Sequence, residues 1–155
     1  MKEFGKYGQK AEAYFRKGYN CSQSVVAAFA EDLGISEALA LRMASGFGGG
    51  IGRMREVCGA FCGVTQVVSL YYANPDDPQD KSNIYAIVQE LAPKFKEQSG
   101  GSLICRELLG LAKPDGSPQA EARTEAYYKK RPCPELVAEA ADLVAAYMQQ
   151  HPKAQ

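Results

Sequence analysis

Apolar residues recur at three- and four-residue spacing over most of this chain, and nearly every such run is bounded by a glycine, a proline or a capping side chain. Residues 5–18 read as a first helix, with Tyr7, Ala11, Tyr14 and Phe15 on one side and Gly18 at its end. Asn20 caps a second helix that carries Val25, Val26, Phe29 and Leu33 and closes at Gly34. Ser36 opens a third segment with Ala38, Leu39, Leu41 and Met43. From Met54 to Tyr72, Val57, Phe61, Val64, Val68 and Tyr71 form a helical seam. The β-branched and aromatic stretch VTQVVSLYY within it also allows a strand, but its length without a turn signal favours a helix. ANPDDPQD is a loop. Ile84, Ile87, Val88, Leu91 and Phe95 then mark a helix that Pro93 should kink or end. SGG at 99–101 breaks the chain. A short helix follows, capped by Ser102 and closed by Gly110, and after the loop AKPDGSPQ comes a charged helix ending near Lys130. The last helix starts at Cys133-Pro134, turns Leu136, Val137, Ala140, Leu143, Val144 and Tyr147 inward, and leaves 148–155 as a polar tail. No alternating strand pattern is secure. The predicted fold class is all-α: a single-domain bundle, residues 1–155, of about six to seven helices.

One stretch cannot be regular helix. SGFGGGIGR, residues 45–53, holds five glycines in nine residues just before the central helix. Such a loop can bring bare backbone N–H groups against a ligand at a helix start, so Gly48, Gly49, Gly50, Gly52 and Arg53 are candidate cofactor-binding residues. It can equally be a sharp connection in a crowded place. A phosphate-binding loop is disfavoured, because no Lys-Ser/Thr follows the glycines and no strand precedes them. Gly59 and Gly63 lie one turn apart on the predicted helix, where each costs roughly 1 kcal/mol relative to alanine. That cost is tolerable where a cofactor or another backbone must approach closely, which adds both to the candidates.

The five cysteines are Cys21, Cys58, Cys62, Cys105 and Cys133. Cys21 follows the Asn20 cap, Cys58 lies early in the fourth helix, Cys105 comes three residues after Ser102, and Cys133 is itself in a capping position. Helix starts carry partial positive charge and unpaired N–H groups, which lower a thiol's pKa. Arg53 and Arg55 should favour a Cys58 thiolate further. Cys62 lies mid-helix and gains little of this. Free cysteine is also common core filler, so inert burial stands beside the reactive reading. There is no Cys-x-x-Cys pair. The only histidine, His151, lies in the polar tail, where solvation is the expected state. A metal site would therefore be all-thiolate, or thiolate with a carboxylate such as Glu56, and would suit zinc or an iron–sulfur cluster. Spacings of 37, 47 and 28 residues permit such a site without announcing it.

Composition narrows the function classes. Lys+Arg and Asp+Glu are both 18, so net charge is zero and no basic run points to nucleic acid or an anionic membrane. Apolar residues make up 46%, enough for a real core, but no segment reaches the ~18 consecutive apolar residues of a membrane span. The charged start MKEFGKYGQKAEAYFRK lacks a signal-peptide core. With an odd cysteine count, this makes the cytoplasm the expected location.

At these residues the sequence resembles the redox-active family named for the cysteine pattern C_GCAxxG_C_C. The features are Cys21 in YNCSQSV, FGGGIGR leading into Cys58-Gly59-Ala60-x-x-Gly63, then Cys105, then Cys133 in CPELV, across residues 20 to about 147. The resemblance implies that Cys21, Cys58, Cys105 and Cys133 are the family's four cysteines and that Cys62 is an extra. Similar domains occur within larger electron-transfer proteins, so it also implies an iron–sulfur or other metal centre as an option, with an electron-transfer or redox partner. Three readings follow. The four thiols cycle between dithiol and disulfide or hold a metal, near one end of the bundle. Alternatively the chain is a non-catalytic helical binding module with structural cysteines, open to forming a homodimer, and with Tyr71, Tyr72, Tyr127 and Tyr128 as recognition residues. The third is an enzyme using one activated cysteine, disfavoured by the lack of a nearby histidine base.

Overall fold

The computed structural model describes residues 2–113 and 116–153. Among these, eight α-helices and no strands are present: α1 (Lys6–Arg16), α2 (Cys21–Ala28), α3 (Glu37–Ala44), α4 (Gly59–Tyr72), α5 (Asp80–Ser99), α6 (Cys105–Leu108), α7 (Glu125–Lys130) and α8 (Cys133–Gln150). The all-α class expected from the periodicity holds, with slightly more helices than expected. Part of the AKPDGSPQ loop, Pro114 and Asp115, lies outside the described residues.

Local chemistry sets most helix starts. Asn20 and Gln23 form a reciprocal capping box: Gln23 N–H donates to Asn20 Oδ1 at 2.9 Å and Asn20 N–H to Gln23 Oε1 at 3.0 Å. Ser36 and Thr124 accept from the N–H groups of Leu39 and Tyr127. The start of α1 has no cap of its own. Asp142, on α8, accepts from the N–H groups of Gly5 and Gly8 at 2.8 Å each. This distant carboxylate both caps α1 and pins it to α8, and a Cβ on Gly8 would sit 2.6 Å from the same carboxylate.

Val64, Val67 and Val68 on α4 are all buried at helical spacing, which excludes the strand alternative. α8 packs on α1, α2, α4 and α5, and α2 packs on α1, α3, α4 and α8, so these two helices sit at the centre. Phe15, Phe29, Leu91, Phe95, Val137 and Val144 fill the core between them. No helix among the described residues is long and apolar enough to cross a membrane.

Several boundaries differ from the expected ones. α2 ends at Ala28, and residues 29–34 continue as turns. α5 runs unbroken through Pro93, contrary to the expected kink or stop. Both Pro93 and Gln89, whose carbonyl loses its helical donor, face solvent, while Leu91 and Phe95 on the opposite face are fully buried. α8 runs to Gln150, so 148–150 is helix rather than tail. His151 is exposed but partnered. Its ring stacks on Tyr147 at 4.1 Å and its carbonyl accepts from the Tyr72 hydroxyl.

Candidate functional site

The fourth helix begins at Gly59, not at Met54, and the five residues before it are extended or turned. Val57 forms an antiparallel bridge with Ile104. Cys58 N–H donates to Leu103 O at 2.7 Å and Cys105 N–H to Glu56 O at 2.6 Å. This short pairing joins segments nearly fifty residues apart and sets Cys58 and Cys105 beside each other. Cys58 occupies the N-cap position of α4, and Cys105 is the first residue of α6, preceded by Ile104 rather than capped by Ser102. The Ser102 hydroxyl accepts from Ile104 N–H instead. Cys21 and Cys133 are the first residues of α2 and α8, with Pro132 in the cap position before Cys133.

Between these helix starts lies a cavity of about 310 Å³. Cys21, Cys58, Cys105 and Cys133 all line it, and Cys62 does not. Gly48, Gly49, Gly50, Gly52, Arg53 and Gly59 line it too. Gly63 does not: a Cβ there would lie 2.7 Å from Val25 Cβ, so this glycine serves close packing of α4 on α2 rather than a cofactor. All five cysteines are free thiols.

In the glycine loop, the N–H groups of residues 51–56 turn inward and are not open to a ligand. Residues 49–53 all have positive φ, between 57° and 74°, including the β-branched Ile51 at 64°. The result is a left-handed turn that L-residues pay for at roughly 1–2 kcal/mol each. The N–H groups of residues 51–56 are spent within it, on the carbonyls of Phe47, Gly46, Gly48, Ile51, Gly49 and Gly50 in that order. The glycines instead make room for the thiols. A Cβ on Gly50 would sit 2.6 Å from Cys105 Cβ, and one on Gly59 would sit 3.1 Å from Cys21 Cβ.

The electrostatics split the four thiols. Cys133 is held below the ordinary thiol value, first by a hydrogen bond from the Cys21 thiol. Arg131, Arg123 and the Tyr127 hydroxyl add to this against the opposing effect of burial. Cys21 is pushed well up, by that same hydrogen bond and by burial. Cys58 is pushed up to about 12 by burial, although the N–H groups of Phe61 and Ala60 pull the other way. Cys105 also rises through burial, offset in part by Arg55, whose Nη1 lies 3.7 Å from Cys105 Sγ. Cys62 rises to about 11 through burial. The expectation that every helix start lowers its cysteine therefore fails for three of the four. Arg55, expected to serve Cys58, faces Cys105.

Sequence reasoning missed Arg123 and Arg131 as parts of the site and named Tyr127 only as a recognition residue of a binding module. All three line the cavity from the segment between α6 and α8. Arg123 donates to Phe15 O and Tyr19 O and stacks 4.0 Å over the Phe15 ring, which ties this segment to α1. Arg131 pairs with Glu121 at 2.8 Å. Among the described residues, no group of three or more histidine, cysteine, aspartate or glutamate side chains is arranged to hold a metal ion. The zinc or iron–sulfur centre that four cysteines suggested is thus not matched by a ligand set. The thiols fall into two groups: Cys21 and Cys133, which shift each other's pKa in opposite directions, and Cys58 and Cys105, held by the 57–104 bridge.

A family model described as "Putative redox-active protein (C_GCAxxG_C_C)" matches residues 19–147. No curated protein and no solved structure matches the chain.

Proposed function

The chain belongs to the redox-active C_GCAxxG_C_C family, and we propose that it works as a dithiol–disulfide redox protein whose couple is Cys133 with Cys21. The observation that carries this is the placement of those two cysteines as the first residues of two helices that pack on each other, α2 and α8, on the wall of one cavity. The thiolate is the attacking form in disulfide exchange, and Cys133 is the thiol whose neighbours lower its pKa and so favour that form. Attack by Cys133 on a substrate disulfide forms a mixed disulfide and releases one substrate thiolate, which takes the proton from Cys21. The Cys21 thiolate then attacks Cys133 Sγ, closes the Cys21–Cys133 disulfide and expels the second substrate thiolate. Two electrons pass from the protein dithiol to the substrate disulfide. Arg123 and Arg131 stabilise the Cys133 thiolate before attack. Cys58 and Cys105, both buried and both held protonated at neutral pH, stand outside this couple.

The test is equilibration of anaerobically purified protein in glutathione redox buffers, followed by acid quenching, alkylation and peptide mass spectrometry. The expected result is one two-electron transition that joins Cys21 to Cys133, with a trapped mixed disulfide at Cys133 in Cys21→Ser. Stoichiometric zinc or iron in that sample, or oxidation that never joins these two cysteines, overturns the reading. Inert thiols throughout would favour a binding module with structural cysteines.

A further inference from the structure

The cavity around Cys133 has a composition that the redox chemistry alone does not require. Among the described residues, four arginines line it, Arg53, Arg55, Arg123 and Arg131, against one carboxylate, Glu121. The chain as a whole has no net charge, so this concentration of cations is local. Arg123 and Arg131 are engaged with the protein on at least one side. Arg55 is different. It is 9% exposed, and its left-handed backbone is fixed from both sides: its N–H donates to Gly49 O, and its carbonyl accepts from Arg106 N–H. Of its five side-chain N–H donors, only one has an acceptor among the described residues, the Cys105 sulfur at 3.7 Å. A buried guanidinium on a cavity wall with most of its donors unused is built to receive an anion.

Two further features limit what that anion belongs to. Cys133 is 7% exposed and Cys58 4%, so little of either side chain is open to the surface of a partner. In-line attack on an S–S bond needs access along one axis, which a small disulfide entering the cavity finds more easily than one fixed on another protein. The lining also includes apolar side chains, Phe15, Leu108, Leu109 and Leu136, which suits a carbon skeleton rather than a bare oxyanion. We propose that the substrate of the Cys21–Cys133 couple is a low-molecular-weight disulfide bearing carboxylate or similar anionic groups, which Arg55 recognises and the cavity encloses. This rests on the dithiol reading above and specifies its substrate. The balance is that of the exchange already described: the anionic disulfide gains two electrons and one proton and leaves as one thiol and one thiolate, and the protein keeps the Cys21–Cys133 disulfide.

The experiment oxidises the reduced full-length protein with three disulfides of similar size: dithiodiglycolate, bis(2-hydroxyethyl) disulfide and cystamine. Each rate is divided by that of the same disulfide with a free small thiolate, which removes differences in leaving-group chemistry. The anionic disulfide is expected to react at least about tenfold faster than the neutral one on this scale, with the cationic one slowest. High salt should compress the order. Arg55→Gln should lower the anionic-to-neutral ratio about tenfold. Should that variant misfold, the salt dependence of the unaltered protein gives the same test. Equal normalised rates for all three, with Cys133 reacting, overturn the anionic substrate and leave the dithiol couple standing. No reaction of Cys133 with any of them removes the couple itself.

Discussion

Two effects compete at each cysteine of the cavity. A helix start is worth typically 0.3–1 kcal/mol to an anion at a surface, while full burial moves a thiol by several pKa units the other way. Cys58 shows which wins. It caps a 14-residue helix and feels two backbone N–H groups, yet it is driven up to about 12. Cys133 escapes because a thiol, a phenol and two guanidiniums are gathered on it. The starts of α2 and α8 were legible from Asn20 and Pro134, whereas α4 starts five residues later than its apolar seam suggested. The burial was not legible, because it depends on a pairing between 56–58 and 103–105 that no local pattern encodes. A stability prediction follows at Cys58. Below pH 9 its thiol is protonated in both the folded and the unfolded chain, and its contribution is fully present. Between pH 9 and about 12 only the unfolded chain ionises, so stability falls as pH rises, by up to about 1.4 kcal/mol per pH unit. Tyr7, Tyr14 and Tyr72 are also raised to about 12 and act in the same direction. The readout is therefore a difference. Urea unfolding under reducing conditions at pH 8, 9 and 10 should show a shallower decline in Cys58→Ala than in the unaltered protein, and parallel slopes would refute the assignment.

Among the elements, what could be read from the sequence was what neighbours in sequence decide. The Asn20–Gln23 capping box is three residues long and visible at once. The cap of α1 comes from Asp142, and the closure of the cavity comes from Arg123 and Arg131. Neither has a periodicity or spacing that points to its target. Pro93 misled because a local rule was overridden by the tertiary burial of Leu91 and Phe95 on the other face of the same helix. Gly63 was recognised as a close-approach residue, but its partner was not: it faces Val25 and the Ser22 carbonyl of α2, not a cofactor. This makes a definite test of the α2–α4 contact. Alanine gains roughly 1 kcal/mol of helix propensity over glycine. However, its Cβ would meet Val25 Cβ at 2.7 Å and Val25 Cγ1 at 3.0 Å, and overpacking of this kind costs about 1–3 kcal/mol. Gly63→Ala is expected to lose on the order of 1 kcal/mol net, and Gly63→Ala with Val25→Gly, which removes the opposing Cβ, to fall short of the sum of the two single losses. A stabilised or neutral Gly63→Ala in chemical denaturation would mean that the helices do not meet there.

Across the molecule, the cavity is where distant parts of the chain meet. Its walls come from the end of α1, the glycine loop, the 103–109 segment, the 118–131 segment and the first residues of α2, α4 and α8. α2 and α8 carry much of the core and meet one another along it, and their first residues are Cys21 and Cys133. Oxidation of this pair would therefore join the two central helices at their starts and close a loop of more than a hundred residues in the unfolded chain. In the chain-entropy account such a closure is worth about 4–5 kcal/mol, less any distortion of the folded state. The disulfide form should thus unfold at a clearly higher denaturant midpoint than the dithiol form. The difference should vanish in Cys21→Ser and Cys133→Ser and persist in Cys62→Ser. The same linkage bears on the redox poise: whatever folding stability the disulfide adds also favours the oxidised protein over the reduced one, so a large shift in midpoint must accompany a more reducing couple. Denaturation of fully reduced and fully oxidised samples in urea, with the potential measured on the same preparation, tests both quantities together. A raised midpoint with a potential no more reducing than that of the same pair in the unfolded chain would show that the gain arises from a cross-link other than Cys21–Cys133.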